Sequence, residues 1–347
     1  MVLSVEWKRL DYVDIFRGFA LFVMVSIQIF SFLWIYDIYR DYPYYVKAID
    51  SVTWIPPSLL FTFVSGMSVY LLIMKRKDSD KSGWQILKEV VKRYGIYVLI
   101  SLPFTWIMWN LNTYFAWDEA IQGIGLGAIF TAMIVLLFGK RINWAFVLVP
   151  IFAFFQHFLL RHYQFASSIP VDSQTITSFL LNVSYRGWFS LINMIPLMIS
   201  GIIFFKMIQE NRPKTQLLLF SLGNLMVAVL LHFTIVPIDY YFRSFSYMFF
   251  AIGESSLICI ALYMVYLNKN KIFEAFLYPL KVFGKLSFFL YVGHYLLILK
   301  VLQVTGLSDR LGEIASWMVT AVLMLVVFAV AKTYLEYKEA KMSGIFH

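Results

Sequence analysis

The sequence predicts an all-α polytopic membrane protein with about ten transmembrane helices and both termini in the cytoplasm. The chain of 347 residues is 61% hydrophobic and only 14% charged, whereas soluble domains carry roughly 45–50% apolar and about 25% charged residues. Its apolar residues form continuous runs of membrane-spanning length and lack the alternation that a β-barrel needs. These observations exclude a soluble enzyme and a disordered chain.

Ten runs are long and apolar enough to cross a bilayer, since a helical crossing takes about 20 mostly apolar residues. In chain order they cover residues 18–36, 52–74, 94–112, 120–138, 144–160, 186–205, 215–236, 245–267, 282–304 and 313–335. Charged residues alternate up to Arg17, and no small-residue cleavage site follows the first run. We therefore expect that run to remain as a helix and not to be a signal peptide.

The distribution of positive charge predicts the orientation. With the N-terminus inside, the inner segments and inner helix ends hold 22 of the 29 Lys and Arg residues. Cytoplasmic segments carry such an excess, so the net charge of +9 needs no nucleic-acid partner. The inner segment 75–93 is the most basic, and its pattern leaves open a solvated loop near anionic lipid or an interfacial helix with a basic face. We interpret residues 1–347 as one domain in the cell membrane.

Polar side chains inside the spans mark the candidate site, because a buried polar group costs several kcal/mol unless it is paired or hydrated. Glu254 is the tenth residue of its span, and His294 lies twelve residues after the start of its own. Histidine can accept and return a proton near neutral pH. The structural alternatives are a histidine bonded to a backbone carbonyl and a protonated Glu bonded to a neighbouring helix. The spans also contain the amides Gln28, Asn110, Gln122, Asn193 and Asn224.

Asp14 and Arg17 lie at the inner end of the first span, just before residue 18; they are three positions apart and can pair on one helix face. Gly18 follows and lets a neighbouring backbone or a ligand approach closely. The glycines in 123–127 lie in an apolar run and predict a helix-packing face and not a phosphate loop. The one cysteine, Cys259, excludes a disulfide framework, and no Cys/His cluster predicts a metal site.

Four blocks carry a family resemblance. Residues 10–25 contain Asp14-x-x-Arg17-Gly18 running into a helix, and residues 61–68 form a glycine-containing second helix. Residues 119–126 are similar to an LQxIGL block, and residues 284–294 to a late G-x-x-S-x-x-x-Y-x-x-H helix. In this order the blocks resemble the heparan-alpha-glucosaminide N-acetyltransferase family, whose catalytic core also suits ten helices.

The resemblance implies acyl transfer from cytoplasmic acetyl-CoA to an amine or hydroxyl of a sugar, glycan or lipid. The basic inner face suits the phosphates of CoA, for which we expect Arg17 and either segment 75–93 or Lys285. Asp14, Gln122 and Asn193 are further expected binding residues, and Asn193 could donate to the thioester oxygen.

The chain departs from the family at one catalytic position. The family's catalytic histidine lies at the end of the first helix or in the loop after it, but residues 18–51 contain no histidine. Gln28 stands roughly where relatives place Asn or His. An amide can donate to an oxyanion but cannot act as a general base. We therefore expect His294 to be the base, with Glu254 second and Gln28 as a partner of the thioester oxygen.

Two other function classes remain open from the sequence. A proton-coupled transporter would use Glu254 and His294 as binding groups near the midplane. A scaffold or lipid-interaction protein would use the same polar residues to join helices. The bilayer is the expected environment in every case, and a homodimer is left open.

Overall fold

The computed structural model describes residues 10–34, 57–109, 120–163, 190–238, 244–268 and 270–342. Within these ranges the chain forms helices and no named β-strand. The helices are α1 Asp11–Leu33, α2 Pro57–Lys77, α3 Gly83–Trp109, α4 Ala120–Phe138, α5 Leu148–Tyr163, α6 Leu191–Gln209, α7 Lys214–Thr234, α8 Phe245–Leu267, α9 Lys271–Lys285, α10 Ser287–Gly293, α11 Lys300–Val304 and α12 Glu313–Met342. Internal contacts divide the chain into two compact units. Unit 1 comprises residues 1–8 and 59–260, and unit 2 comprises residues 9–58 and 261–347.

The all-α polytopic class is confirmed. Among the described residues, eight helical stretches are long and apolar enough to cross a membrane. The ten predicted spans lie mainly on helices where they are described, and α4 and α8 have the predicted bounds. Residues 37–51 and 164–185, which belong to predicted outer segments, lie outside the described residues. Asn110 also lies outside them.

The fourth and fifth predicted spans form one apolar stretch, Ala120–Leu159, because the 3₁₀ segment Gly139–Val147 joins α4 to α5. A straight helix of that length would measure about 60 Å, twice the hydrocarbon thickness of a bilayer. The stretch is broken where Gly139 has a φ of +54° and Arg141 leaves helical geometry. Both α4 and α5 pack on α6, as expected for two separate crossings.

The ninth predicted span, 282–304, begins too early. Residues 282–285 belong to α9, an amphipathic helix of 15 residues that ends at Leu286 with a φ of −114°. Such a helix is only about 22 Å long, which is short of a bilayer crossing. The side chain of Asn270 caps α9 by accepting from the N–H of Ile272 at 2.9 Å. The membrane-length stretch begins after this break, at Ser287.

Within unit 2, α1 crosses α9 at backbone contact. A Cβ atom on Gly18 would lie 1.7 Å from the carbonyl oxygen of Leu280, and one on Gly284 would lie 1.7 Å from that of Asp14. Since no Cβ atom tolerates such a distance, glycine is required at both positions. The expectation that Gly18 admits a neighbouring backbone is confirmed.

The other end of α1 is held by the segment after α11. The N–H groups of Asp309 and Leu311 donate, at 2.9 Å each, to the carbonyls of Phe32 and Leu33. Carbonyls in the last turn of a helix have no partner within that helix, so these bonds satisfy them. Phe30 also stacks on Trp317 of α12, with ring centroids 4.2 Å apart.

Within unit 1, α2 and α6 meet through a similar pair of glycines. A Cβ atom on Gly66 would lie 2.1 Å from the Met198 carbonyl oxygen, and one on Gly201 would lie 1.9 Å from that of Phe63. In α4, a Cβ atom on Gly125 would lie 2.8 Å from the Val98 side chain, and Gly127 faces Met194 and Met198. The glycine-rich run 123–127 is therefore a packing face, as predicted.

Substitution of Gly18 by Ala should lower the free energy of unfolding by about 1–3 kcal/mol or more, because the new methyl group overpacks a backbone contact. The unfolding temperature in detergent measures this loss. Gly223→Ala in α7 is the matched control, since nothing lies within 4 Å of its Cβ position and alanine favours helix. Equal unfolding temperatures for wild type and Gly18→Ala would contradict the crossing.

Candidate active site

A π-helical turn, His294–Leu299, interrupts the apolar stretch Ser287–Val304 near its middle. The N–H of Lys300 donates to the carbonyl of Tyr295, five residues earlier. Such turns are rare and are frequent at functional sites. This one places two consecutive rings side by side, since the centroids of His294 and Tyr295 are 4.3 Å apart.

Both rings of this turn contact Gln28 of α1. The Gln28 Oε1 atom lies 2.7 Å from His294 Nε2, and the Gln28 Nε2 atom donates to the Tyr295 hydroxyl at 2.5 Å. His294 is 2% exposed and Tyr295 is 5% exposed. We name these three residues the Gln28 cluster. Two of the three predicted catalytic residues, Gln28 and His294, therefore meet in one part-buried cluster.

The second nitrogen of His294 also has a partner. Its Nδ1 atom lies 3.2 Å from the carbonyl oxygen of Leu290, one turn earlier. Tyr291 packs edge-on against the imidazole, with ring centroids 5.5 Å apart. The ring is therefore held in a fixed orientation, which a proton-transferring group requires.

Asp14 and Arg17 pair as their spacing predicts. Arg17 Nη1 lies 3.1 Å from Asp14 Oδ1 and donates to the carbonyl oxygen of Gly284 at 3.2 Å. The guanidinium thus joins α1 to α9 at the glycine crossing. Lys285, at the end of α9, forms an ion pair with Glu339 at 3.2 Å.

Unit 1 contains the buried amides Gln122 and Asn193. The amide nitrogen of Asn193 donates to the Ser190 hydroxyl at 3.0 Å. Its Oδ1 atom is buried and has no hydrogen-bond partner among the described residues. In this orientation Asn193 offers an acceptor, which suits a ligand N–H or O–H better than a thioester oxygen.

Glu254 of α8 also lies in unit 1. Its Oε2 atom is buried and has no hydrogen-bond partner in the described part of the chain. The neighbouring Gly253 lies against the backbone of Leu225 in α7, where its Cβ position is 2.9 Å from the Leu225 nitrogen. Asn224, beside that contact, donates to the Phe220 carbonyl of its own helix at 2.7 Å, so its amide N–H is satisfied locally.

The predicted inner segment 75–93 is helical at both ends, because α2 continues to Lys77 and α3 starts at Gly83. Arg76 and Lys81 both form ion pairs with Glu89. The hydrogen bond from Lys81, aided by the charge of Arg76, lowers the pKa of the Glu89 carboxyl below its usual value. Other basic side chains of this end of unit 1 have no ion-pair partner among the described residues: Lys75, Lys77, Lys88, Lys92, Lys140, Arg141 and Lys214. These seven cations suit the binding of phosphate groups.

Sequence analysis missed Tyr295. The residue follows His294 directly, and adjacent residues of a regular α-helix point about 100° apart. Only the π turn brings both side chains to Gln28, and no sequence signal that we identified marks that turn. In the part of the chain that the structure describes, no group of three or more His, Cys, Asp or Glu side chains could hold a metal ion.

Comparison with known families gives a match over most of the chain. The model of the heparan-alpha-glucosaminide N-acetyltransferase catalytic family matches residues 9–234, which is more than half of the chain. The match includes Gln28 and ends before His294. No curated protein matches the chain significantly.

Replacing Gln28 by Leu should lower the free energy of unfolding by about 1–3 kcal/mol, because both His294 and Tyr295 lose a buried hydrogen-bond partner. Thermal unfolding in detergent measures the change. Gln303→Leu is the matched control, because Gln303 makes an exposed bond to Lys300 and its loss should cost little. Similar losses for the two variants would show that the Gln28 bonds contribute nothing.

Proposed function

The chain belongs to the heparan-alpha-glucosaminide N-acetyltransferase family, and from this premise we propose that it is an acetyl-CoA-dependent acyltransferase of the cell membrane. The acceptor is an amine or hydroxyl of a sugar, glycan or lipid. The observation that carries the chemistry is the Gln28 cluster, in which a buried imidazole is oriented inside an apolar helical stretch. The alternative, proton-coupled transport through Glu254 and His294, has no support from the family match.

His294 acts as the general base of the proposed reaction. It takes a proton from the acceptor N–H or O–H while the acceptor lone pair forms a bond to the thioester carbonyl carbon. The C–S bond then breaks, and the thiolate of CoA receives the proton from the imidazolium. The products are the acetylated acceptor and CoA thiol, so His294 returns to its neutral form.

Gln28 holds His294 in place in this proposal. Both ends of its amide are taken, one by His294 and one by Tyr295. We therefore assign Gln28 to orienting the base and not to the thioester oxygen. Glu254 remains the second candidate base, because its Oε2 atom has no partner among the described residues.

The residues that are present fit a phosphate-bearing donor. Seven cations at one end of unit 1 have no ion-pair partner in the described ranges, Lys77 among them, and each can form a charge-assisted hydrogen bond to phosphate. In unit 2, Arg17 and Lys285 remain proposed phosphate contacts, although each already has an acidic neighbour. Asp14, Gln122 and Asn193 remain proposed binding residues.

Replacement of His294 by Asn should reduce kcat for acetyl transfer by about 10²–10⁴-fold, the usual contribution of a general base. The KM for acetyl-CoA should stay within about twofold, because the imidazole acts on the acceptor proton. The assay follows release of CoA thiol by purified protein in the presence of amino-sugar acceptors. His232→Asn is the matched control, since His232 binds a backbone N–H. Full activity of His294→Asn would remove His294 from the mechanism.

Acetyl-CoA should raise the unfolding temperature of the detergent-solubilised protein, because a ligand at about 100 times its Kd stabilises by roughly 2.7 kcal/mol. Lys77→Gln and Lys285→Gln should each raise the Kd from this titration about tenfold, since a hydrogen bond to a charged group contributes about 1.5–3 kcal/mol. Lys332→Gln is the control, because Lys332 is exposed beside Glu336 on α12. Absence of any shift at millimolar acetyl-CoA would contradict the donor assignment.

A further inference from the structure

In the Gln28 cluster, a side-chain amide that can present either a hydrogen-bond donor or an acceptor contacts the titratable imidazole of His294. A carboxamide presents an oxygen at one end and an NH₂ group at the other. Rotation by 180° about its last bond exchanges the two ends and moves no other atom. The hydroxyl of Tyr295 can donate or accept, and the imidazole of His294 can do either at Nε2. The three groups can therefore bond to one another in two arrangements.

The first arrangement requires a protonated imidazole. Gln28 Oε1 faces His294 Nε2 at 2.7 Å, and the Leu290 carbonyl faces Nδ1 at 3.2 Å. Both neighbours are acceptors, so both ring nitrogens must donate. Gln28 Nε2 then donates to the Tyr295 hydroxyl at 2.5 Å.

The second arrangement suits the neutral imidazole. With the amide reversed, the NH₂ group of Gln28 donates to the bare Nε2 atom of His294, and the hydroxyl of Tyr295 donates to the amide oxygen. The gap of 2.5 Å at Tyr295 fits this bond well, because O–H···O bonds measure 2.5–3.0 Å and N–H···O bonds are usually longer. Nδ1 keeps its proton and donates to Leu290. No buried polar group of the cluster loses its partner.

We propose that the amide of Gln28 is a two-position switch that follows the protonation state of His294, and that Tyr295 is the residue that holds the amide in either position. Gln28 and Tyr295 are therefore positioning residues that act through His294. Our assignment of the switch to catalysis rests on the proposed function, because only a base that cycles between neutral and charged forms needs both arrangements. The switch itself is a property of the free protein.

In α1, no charged side chain lies beside His294 in place of the Gln28 amide. On the helical segment itself, the titratable groups that face the imidazole are Tyr291 and Tyr295. Outside this stretch, α1 packs closely on the π turn. Its nearest charged residue to Gln28 is Arg17, about 16 Å further along the axis. Within these two elements, the nearest partners of the imidazole are therefore neutral dipoles.

The test is nitrogen-15 spectroscopy of histidine-labelled protein in bilayers, without any substrate. In the wild type, neutral His294 should carry its proton on Nδ1 and leave Nε2 bare. His232 is the internal control, because its Nδ1 atom accepts from the N–H of Ile238 at 2.8 Å and the neutral ring must carry its proton on Nε2. The His294 and His232 signals are assigned from the variants His294→Asn and His232→Asn. A neutral His294 that is protonated on Nε2 would overturn the proposal.

Gln28→Glu provides the second arm, because a carboxylate can only accept. In this variant His294 should be protonated on Nε2 at every pH at which wild-type His294 is neutral. The kcat for acetyl transfer should fall about tenfold or more, with the KM for acetyl-CoA unchanged. Retention of a neutral Nδ1–H ring in Gln28→Glu would show that Gln28 does not control the proton.

A third measurement needs no substitution and covers the case in which Gln28→Glu does not fold. The side-chain nitrogen-15 signal of Gln28 should shift when the pH is lowered and His294 becomes protonated, because its NH₂ group changes partner. Tyr295→Phe should abolish this shift. A Gln28 signal that ignores the titration of His294 would refute the switch, whereas an inactive protein with the expected spectra would refute only the proposed enzyme activity.

Discussion

The contact between α1 and α9 at Gly18 and Gly284 fixes the position of everything else in unit 2. Because the two backbones touch there, neither helix can slide along the other without a clash. Gln28 lies ten residues after Gly18, about 15 Å further along α1, and His294 follows Gly284 in the chain after the break at Leu286. The crossing fixes where α9 ends beside α1, and the stretch that begins at Ser287 then packs along α1 and places His294 opposite Gln28.

Small residues have this importance because the bilayer provides little hydrophobic drive for one helix to bind another. Lipid tails solvate an apolar face as well as a leucine does, so α7 and α12 can present Leu219, Phe233 and Leu325 outward. Association depends on close packing and on polar contacts that lipid cannot supply. Gly66 and Gly201 in unit 1 repeat the device of Gly18 and Gly284, each helix offering a glycine to the carbonyl of the other.

The features that could be predicted from the sequence are those that depend on residues close together in the chain. Continuous apolar runs predict the helices, i,i+3 spacing predicts the Asp14–Arg17 pair, and Gly18 predicts a close backbone approach, and the structure contains all three. The pattern of residues did not predict the break at Leu286, since Lys285 and Ser287 beside it interrupt apolar residues only briefly. The sequence marked Gln28 and His294 as candidates but did not predict their contact. That contact joins residues 266 positions apart and depends on the glycine crossing of α1 and α9 and on the π turn.

An amide is the side chain that this half-buried position tolerates best. A carboxylate beside His294 would stabilise the imidazolium but would place a permanent charge in an apolar span, where it costs about 2.5 kcal/mol or more. It would also hold the proton after transfer and oppose its return. An apolar residue would avoid the charge but leave the Nε2 atom of His294 without the partner that Gln28 supplies. Gln28 supplies a neutral dipole that can present either end, so a base in this position can gain and lose a proton while the surrounding helices stay where they are.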